Sequence, residues 1–324
     1  LAKLQHVAGP ILSARFSSNG AFLSVISGSG KLIALRIVDL ANPILRVELS
    51  NAAPRQAEFT NDGKRLISYW SDKTFRVFNL ATGTLTQQFP APGANLITFR
   101  VRSDDRRLLL VENNGTISEI SFPTGVELYQ EAAHPNQRLT HAATDDKKGR
   151  VLLAGEDGSA VLFDLNRKIP LSKIRLSTPI HAFNGTLVED WLVYGSGSRL
   201  ILTHVPTGNC LFNETLTSAG GLKVISADFD PETGCVFALL SDGRCWTLSA
   251  PSGKKLAETD ALTETTGVLT TGCVNFVGQI AALFDESGRL NLCDIADWRL
   301  SLLPTNRIEP DELDLSSSAP LFRS

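Results

Sequence analysis

Three series of turn dipeptides run through this sequence in one register, with a beat near 43 residues. Few folds can accommodate that pattern. The middle series reads Ser29-Gly30, Asp72-Lys73, Asn114-Gly115, Asp157-Gly158, Ser196-Gly197, Asp242-Gly243 and Ser287-Gly288. Successive members lie 43, 42, 43, 39, 46 and 45 residues apart. Gly, Asn and Asp tolerate the positive φ that a tight two-residue hairpin turn requires, so each dipeptide marks a hairpin. A second series falls at Asn19-Gly20, Asp62-Gly63, Ser103-Asp104, Lys148-Gly149 and Thr233-Gly234. A third falls at Ala81-Thr82-Gly83, Pro123-Thr124-Gly125, Pro206-Thr207-Gly208 and Pro251-Ser252-Gly253.

Between the turns lie short runs of strand character. RLISYW (65–70), RLLLVE (107–112), RVLLAG (150–155) and CVFALL (235–240) precede the middle turn. TFRVFNL (74–80), SAVLFDL (159–165) and RLNLCDI (289–295) follow it and alternate polar with apolar. No segment keeps a helical period over three turns. Three turns separate four strands in each of seven units. The expected fold is therefore all-β, a seven-bladed β-propeller with four-stranded antiparallel blades. Ring closure leaves no open sheet edge and makes residues 1–304 a single domain.

The units resemble WD40 repeats. In that family the third strand ends in an aromatic, then Asp, then a turn of the Leu-Ala-Thr-Gly kind. Phe78-Asn79-Leu80-Ala81-Thr82-Gly83 and Phe163-Asp164-Leu165 follow this pattern closely, and Cys293-Asp294 follows it loosely. Ala14-Arg15-Phe16-Ser17-Ser18-Asn19-Gly20 is similar to the family's first strand and turn. No unit carries Trp-Asp, and no Gly-His opens a blade; His6 and His134 are the nearest approximations. The Pro-Thr-Gly turns also resemble those of quinoprotein-like propellers found in exported proteins. The WD40 resemblance implies a ring whose last blade is closed by the N-terminal segment, residues 1–7, although residues 299–303 compete for the same place. The acidic, Ser-rich stretch 305–324 reads as a flexible tail.

Composition narrows the function classes. Hydrophobic residues make up 43% of the 324 positions, enough for a large core. The formal net charge is −3, from 31 basic and 34 acidic residues without a basic stripe, which argues against a nucleic-acid partner. No apolar run is long enough to span a membrane. Cys210, Cys235, Cys245, Cys273 and Cys293 form no CxxC pair, and free thiols suit a reducing, cytoplasmic setting. An exported setting stays open beside it. The chain begins at Leu1 and contains no methionine, so it reads as a processed chain, an excised domain, or one with modified residues left out.

Nothing in the sequence assembles a catalytic constellation. His6, His134, His141, His181 and His204 are scattered, with no HxH or HExxH spacing. GSGSR (195–199) is a turn on the repeat beat, outside any strand-to-helix context that a phosphate loop or nucleophile elbow needs. No cofactor or metal is expected. The reading is a non-catalytic platform for other proteins, presumed scaffold of a larger assembly by its resemblance alone. A propeller enzyme or small-ligand binder using the central channel is the alternative, and an exported quinoprotein-like scaffold is another.

Candidate partner-binding residues follow from position. The residues two before each middle turn form the column Ser27, Trp70, Glu112, Gly155, Tyr194, Leu240 and Asp285. Trp70 and Tyr194 stand out because aromatics are enriched among interface hot spots. Lys73, Arg199 and Arg244, in or just after these turns, add a polar rim, and Glu112 and Asp285 of the column join the candidate set. On this reading Trp70→Ala and Tyr194→Ala weaken partner binding without unfolding the ring. The competing placement has both aromatics packed between adjacent blades.

Overall fold

The computed structural model describes residues 10–93, 95–135, 138–146, 148–176, 184–188, 190–196, 198–215, 222–230, 233–249, 254–258, 269–275 and 280–294. The segments 1–7, 299–303 and 305–324, the turn at 251–253, and His6 and His181 lie outside the described residues. The seven units fold as seven antiparallel sheets, each pairing its strands in chain order. Blade 2 is representative, with strands Pro54–Phe59, Arg65–Trp70, Thr74–Asn79 and Thr84–Pro90. Blade 7 shows three described strands, Leu269–Asn275, Ile280–Asp285 and Leu290–Asp294.

Burial explains the different composition of the four strands. The second strand of blade 2 is buried from Leu66 to Trp70, because neighbouring blades cover both of its faces. Strands covered on both faces read as continuous apolar runs instead of alternating ones. The fourth strand, TLTQQFP, is exposed at every position but Phe89 and forms the polar outer rim.

The first strands stand side by side around a central channel. Ile11–Phe16 of blade 1 lies beside Leu269–Asn275 of blade 7, which closes the ring. The hydrophobic core is correspondingly divided into seven layers, one in each seam between consecutive blades. In the closing seam, Ala282, Phe284 and Leu290 of blade 7 pack against Ile11, Leu23, Val25, Ile33 and Leu35 of blade 1.

Positive φ values confirm the turn series. In the middle turns they fall at Gly30, Lys73, Gly115, Gly158, Gly243 and Gly288. Asp105, Lys168 and Asp190 take the same conformation at first and third turns where the sequence offers no glycine. Gly115 is doubly constrained: its φ is +87°, and a Cβ there would run into the carbonyl oxygen of His134.

Polar contacts tie each blade to the next at a separation of about one repeat. Gln56 Nε2 donates to the Phe99 carbonyl at 2.7 Å, and Phe99 N–H donates back to Gln56 Oε1 at 3.1 Å. Asn61 N–H donates to Asp105 Oδ1 at 2.7 Å, and Lys148 Nζ to Asp190 Oδ2 at 2.8 Å.

Candidate functional site: the channel and its mouth

Six of the seven first strands carry a β-bulge one residue after their start. The register breaks between Ile11 and Ser13, Pro54 and Gln56, Leu139 and His141, Val224 and Ser226, and Leu269 and Thr271. In blade 3 it breaks opposite Val111 and Glu112, which pair with Thr98 and Leu96. A bulge leaves its extra residue unpaired and turns that residue out of the ladder. The extra residues are Leu12, Arg55, Ile97, Thr140, Ile225 and Thr270. They stand on the face where the middle turns converge, and the first five line the channel cavities. Leu12 is 63% exposed, and Arg55 and Thr270 are exposed as well.

Below this mouth the resumed register places equivalent residues at matching depths. One level holds Ser13, Gln56, Thr98, His141, Ser226 and Thr271. Two residues deeper lie Arg15, Glu58, Arg100, Ala143, Leu187, Asp228 and Cys273. Glu58 sits between two cations: Arg15 Nε is 3.0 Å from Glu58 Oε1, and Arg100 Nη1 is 2.5 Å from the same oxygen. Gln56 Nε2 donates to that oxygen as well, at 2.9 Å. Two cavities meet at this level, of about 290 Å³ and about 430 Å³, and Arg15 and Arg100 line both.

Several titrating groups along the channel are shifted by burial. Burial and the neighbouring Arg100 charge lower Arg15 to about 10, against the opposing pull of Glu58. Burial brings His141 down to about 4, so its imidazole is neutral at physiological pH. Burial pushes the Cys273 thiol up to about 12. Asp228 rises to about 7, through burial first and the Asp230 charge as well, with a backbone hydrogen bond from Phe229 opposing.

That shift makes a pH prediction. A carboxyl with a raised folded-state pKa binds its proton more tightly in the folded ring than in the unfolded chain, where it titrates near ~3.9. Its contribution to stability is therefore greatest at low pH and is lost as pH rises to about 7. Asp228→Asn is expected to flatten stability against pH between those limits, with its largest gain over the parent above pH 7. Urea unfolding across the range checks this, and a parallel pair of curves would refute it.

The four buried candidates from the middle-turn column turn out to be structural, a correction to their reading as a binding set. Trp70 is fully buried in the seam between blades 1 and 2, among Ile26, Leu32, Ala34, Leu45 and Ala52 of blade 1. Tyr194 is fully buried in the seam between blades 4 and 5. Both sit two residues from a turn, but the second strand stays covered by its neighbours right up to that turn. Neither offers surface to a partner, and their alanine variants act on the ring's stability. Glu112 is buried and fills the space where a Cβ on Gly93 would lie. Asp285 is buried and caps its own turn, accepting from Ser287 N–H and Arg289 N–H, each at 2.9 Å. Burial alone would raise its pKa, but hydrogen bonds led by that from the Ser287 hydroxyl hold it below the usual carboxylate value. Lys73 and Arg199 are exposed on the face of the channel mouth.

The channel residues Leu12, Arg15, Arg55 and Arg100 were missed by sequence reasoning. One signal was present: Arg15, Glu58 and Arg100 recur one repeat apart at the same strand position. The exposed large hydrophobic side chains among the described residues are aliphatic, Leu12 and Leu85 among them.

Comparison with known proteins agrees with the geometry. Over 128 residues, 39% of this chain, the sequence is 25% identical to the WD repeat-containing protein 55 homolog of Drosophila willistoni. The chain is a seven-bladed β-propeller, and this likeness supports kinship with WD40-repeat propellers. The matched stretch spans only 25% of that relative's length. No family model matches the sequence. The sequence lacks the Trp-Asp and Gly-His dipeptides of WD40 repeats throughout, and its blade polar groups use other residues. In blade 2, Asp72 grips Arg76 through Nη1 at 3.1 Å and Nη2 at 2.6 Å. The Arg76 guanidinium in turn lies 4.9 Å from the centre of the Trp70 ring. The hydrogen bond from Arg76 is the main reason the Asp72 carboxyl falls to about 2.

Proposed function

We propose that this propeller is a non-catalytic docking platform for another protein, and that the partner sits across the mouth of the channel. The observation that carries this is the set of bulges. They present six side chains of different chemistry at equivalent positions, with Leu12, Arg55 and Thr270 exposed, on the face that also holds exposed Lys73 and Arg199. Rigid sheets hold these residues in fixed relative positions, the usual basis for recognition by loops on a scaffold. An exposed leucine beside arginines suits the anchor-and-rim pattern of interfaces. WD40 propellers generally bind other proteins, which supports the class of partner without naming it. Among the described residues, no group of three or more His, Cys, Asp or Glu side chains gathers as a metal site. Among those residues no helix is long and apolar enough to cross a membrane. All five cysteines are free thiols, which supports a reducing setting, with the cytoplasm preferred.

The test is affinity capture from extracts of the source cells with three baits: the parent, Leu12→Asp and Leu85→Asp. Leu85 is 50% exposed on the outer rim, away from the channel. Leu12→Asp is expected to lose the specific partner about tenfold or more with an unchanged melting temperature, because it charges an interface anchor. Leu85→Asp should retain it. The opposite pattern would move the docking face to the rim and overturn this reading.

A further inference from the structure

We propose that the smaller channel cavity, under the mouth, binds a small polyanion through carboxylate or phosphate oxygens, with Arg15, Arg55 and Arg100 as its cationic contacts. The cavity holds about 290 Å³, near the lower end of small-ligand pockets. Its described walls carry those three guanidinium groups, the His141 imidazole and the hydroxyls of Tyr69 and Thr98, with no carboxylate among the described lining residues. Glu58 lies alongside and offsets one of the three charges. It meets Arg15 through Nε and Arg100 through Nη1. Arg55 makes no ion pair among the described residues.

The excess of guanidinium over carboxylate groups around the smaller cavity favours a dianion over a monovalent one. Arginine favours oxyanions in particular, because its planar fork of donors matches the spacing of carboxylate and phosphate oxygens. Burial is the first cause of the depressed Arg15 value, with repulsion from Arg100 the second and the attraction of Glu58 opposing. An anion seated between Arg15 and Arg100 relieves that repulsion. Cavity size and the concentration of positive charge inside a chain of net charge −3 point to a small molecule instead of a nucleic-acid backbone, which would follow a surface stripe.

Isothermal titration of the full chain with citrate and with pyrophosphate, at matched ionic strength, tests the site. At least one of them should bind saturably at one site per chain. Binding of citrate alone assigns a carboxylate ligand, and binding of pyrophosphate alone assigns a phosphate ligand. Arg55 is exposed at the mouth, so Arg55→Ala should fold as the parent does and weaken binding about tenfold or more, the loss of a charge-assisted contact. Arg100→Gln, which keeps a donor for Glu58, should weaken it similarly. Arg167→Ala, on an exposed outer turn, should change nothing. The proposal is overturned if neither probe binds more tightly than chloride at equal ionic strength, or if Arg55→Ala and Arg100→Gln bind like the parent.

Discussion

Trp70→Ala lowers the stability of the ring by about 3–5 kcal/mol, the range for deleting a large buried aromatic from a packed core. The indole is fully buried, and removing it opens a cavity shared by two blades, so neither blade can collapse alone to refill it. Its Nε1–H donates to the Ser68 hydroxyl at 2.7 Å, and that hydroxyl sits 3.3 Å from the Arg76 carbonyl oxygen. The variant therefore also strips the face on which the Arg76 guanidinium rests. Trp70→Phe keeps much of the apolar volume and loses only the N–H and part of the ring, so its loss should be clearly smaller. Urea unfolding followed by intrinsic fluorescence and circular dichroism measures both. A loss below about 1 kcal/mol for the alanine variant, typical of surface substitutions, would contradict the seam placement.

Arg102→Ala is the second large effect, about 3 kcal/mol, because it leaves the buried Glu119 carboxylate with only the partly exposed Arg107 as counter-charge. The Arg102 side chain is only 5% exposed. Its Nε lies 3.1 Å from Glu119 Oε1, and its Nη1 lies 3.4 Å from Asp146 Oδ1 in the next blade. The Nε–H does not point at the Glu119 oxygen, so that contact is Coulombic and not a hydrogen bond. Arg107 also reaches Glu119, at 3.0 Å, which places the expected loss at the lower end of the range for a broken buried pair. The informative partner is the double variant Arg102→Met with Glu119→Leu. Replacing both charges by apolar groups of similar volume removes the stranded carboxylate, and should recover most of the loss. If the double variant is as unstable as Arg102→Ala, the contact is worth more as geometry than as charge, and the argument from burial fails.

The architecture was legible because the constraints on a tight turn are local. A residue held at positive φ must be Gly, Asn, Asp or a tolerated exception, and seven such places in one register spell out the blades. The exceptions Lys168 and Asp190 were not legible, since nothing in their composition marks the conformation. The bulges were hidden for a related reason. A bulge uses one extra residue and flips the alternation after it, so ILSARF and PRQAEF read as imperfect strands instead of regular strands with a deliberate break. The sequence left Trp70 between a partner surface and the packing between adjacent blades, because a place beside a turn allows both. What matters is the blade standing over it, and no sequence window of that size contains the blade. Arg15, Glu58 and Arg100 are unremarkable one at a time; only ring geometry makes them neighbours.

The division of the core into seven seams has a consequence for how the ring forms. Six seams join consecutive units, so they can assemble almost as soon as two blades exist. The seventh joins Ile11–Phe16 to Leu269–Asn275, segments roughly 260 residues apart, and must bear the entropy of closing that long loop. Contacts between distant parts of a chain form slowly because this entropy is lost before the contacts return it. Folding should therefore run as a string of local events that ends in one clasp, with Phe284 and its neighbours as the last layer to set.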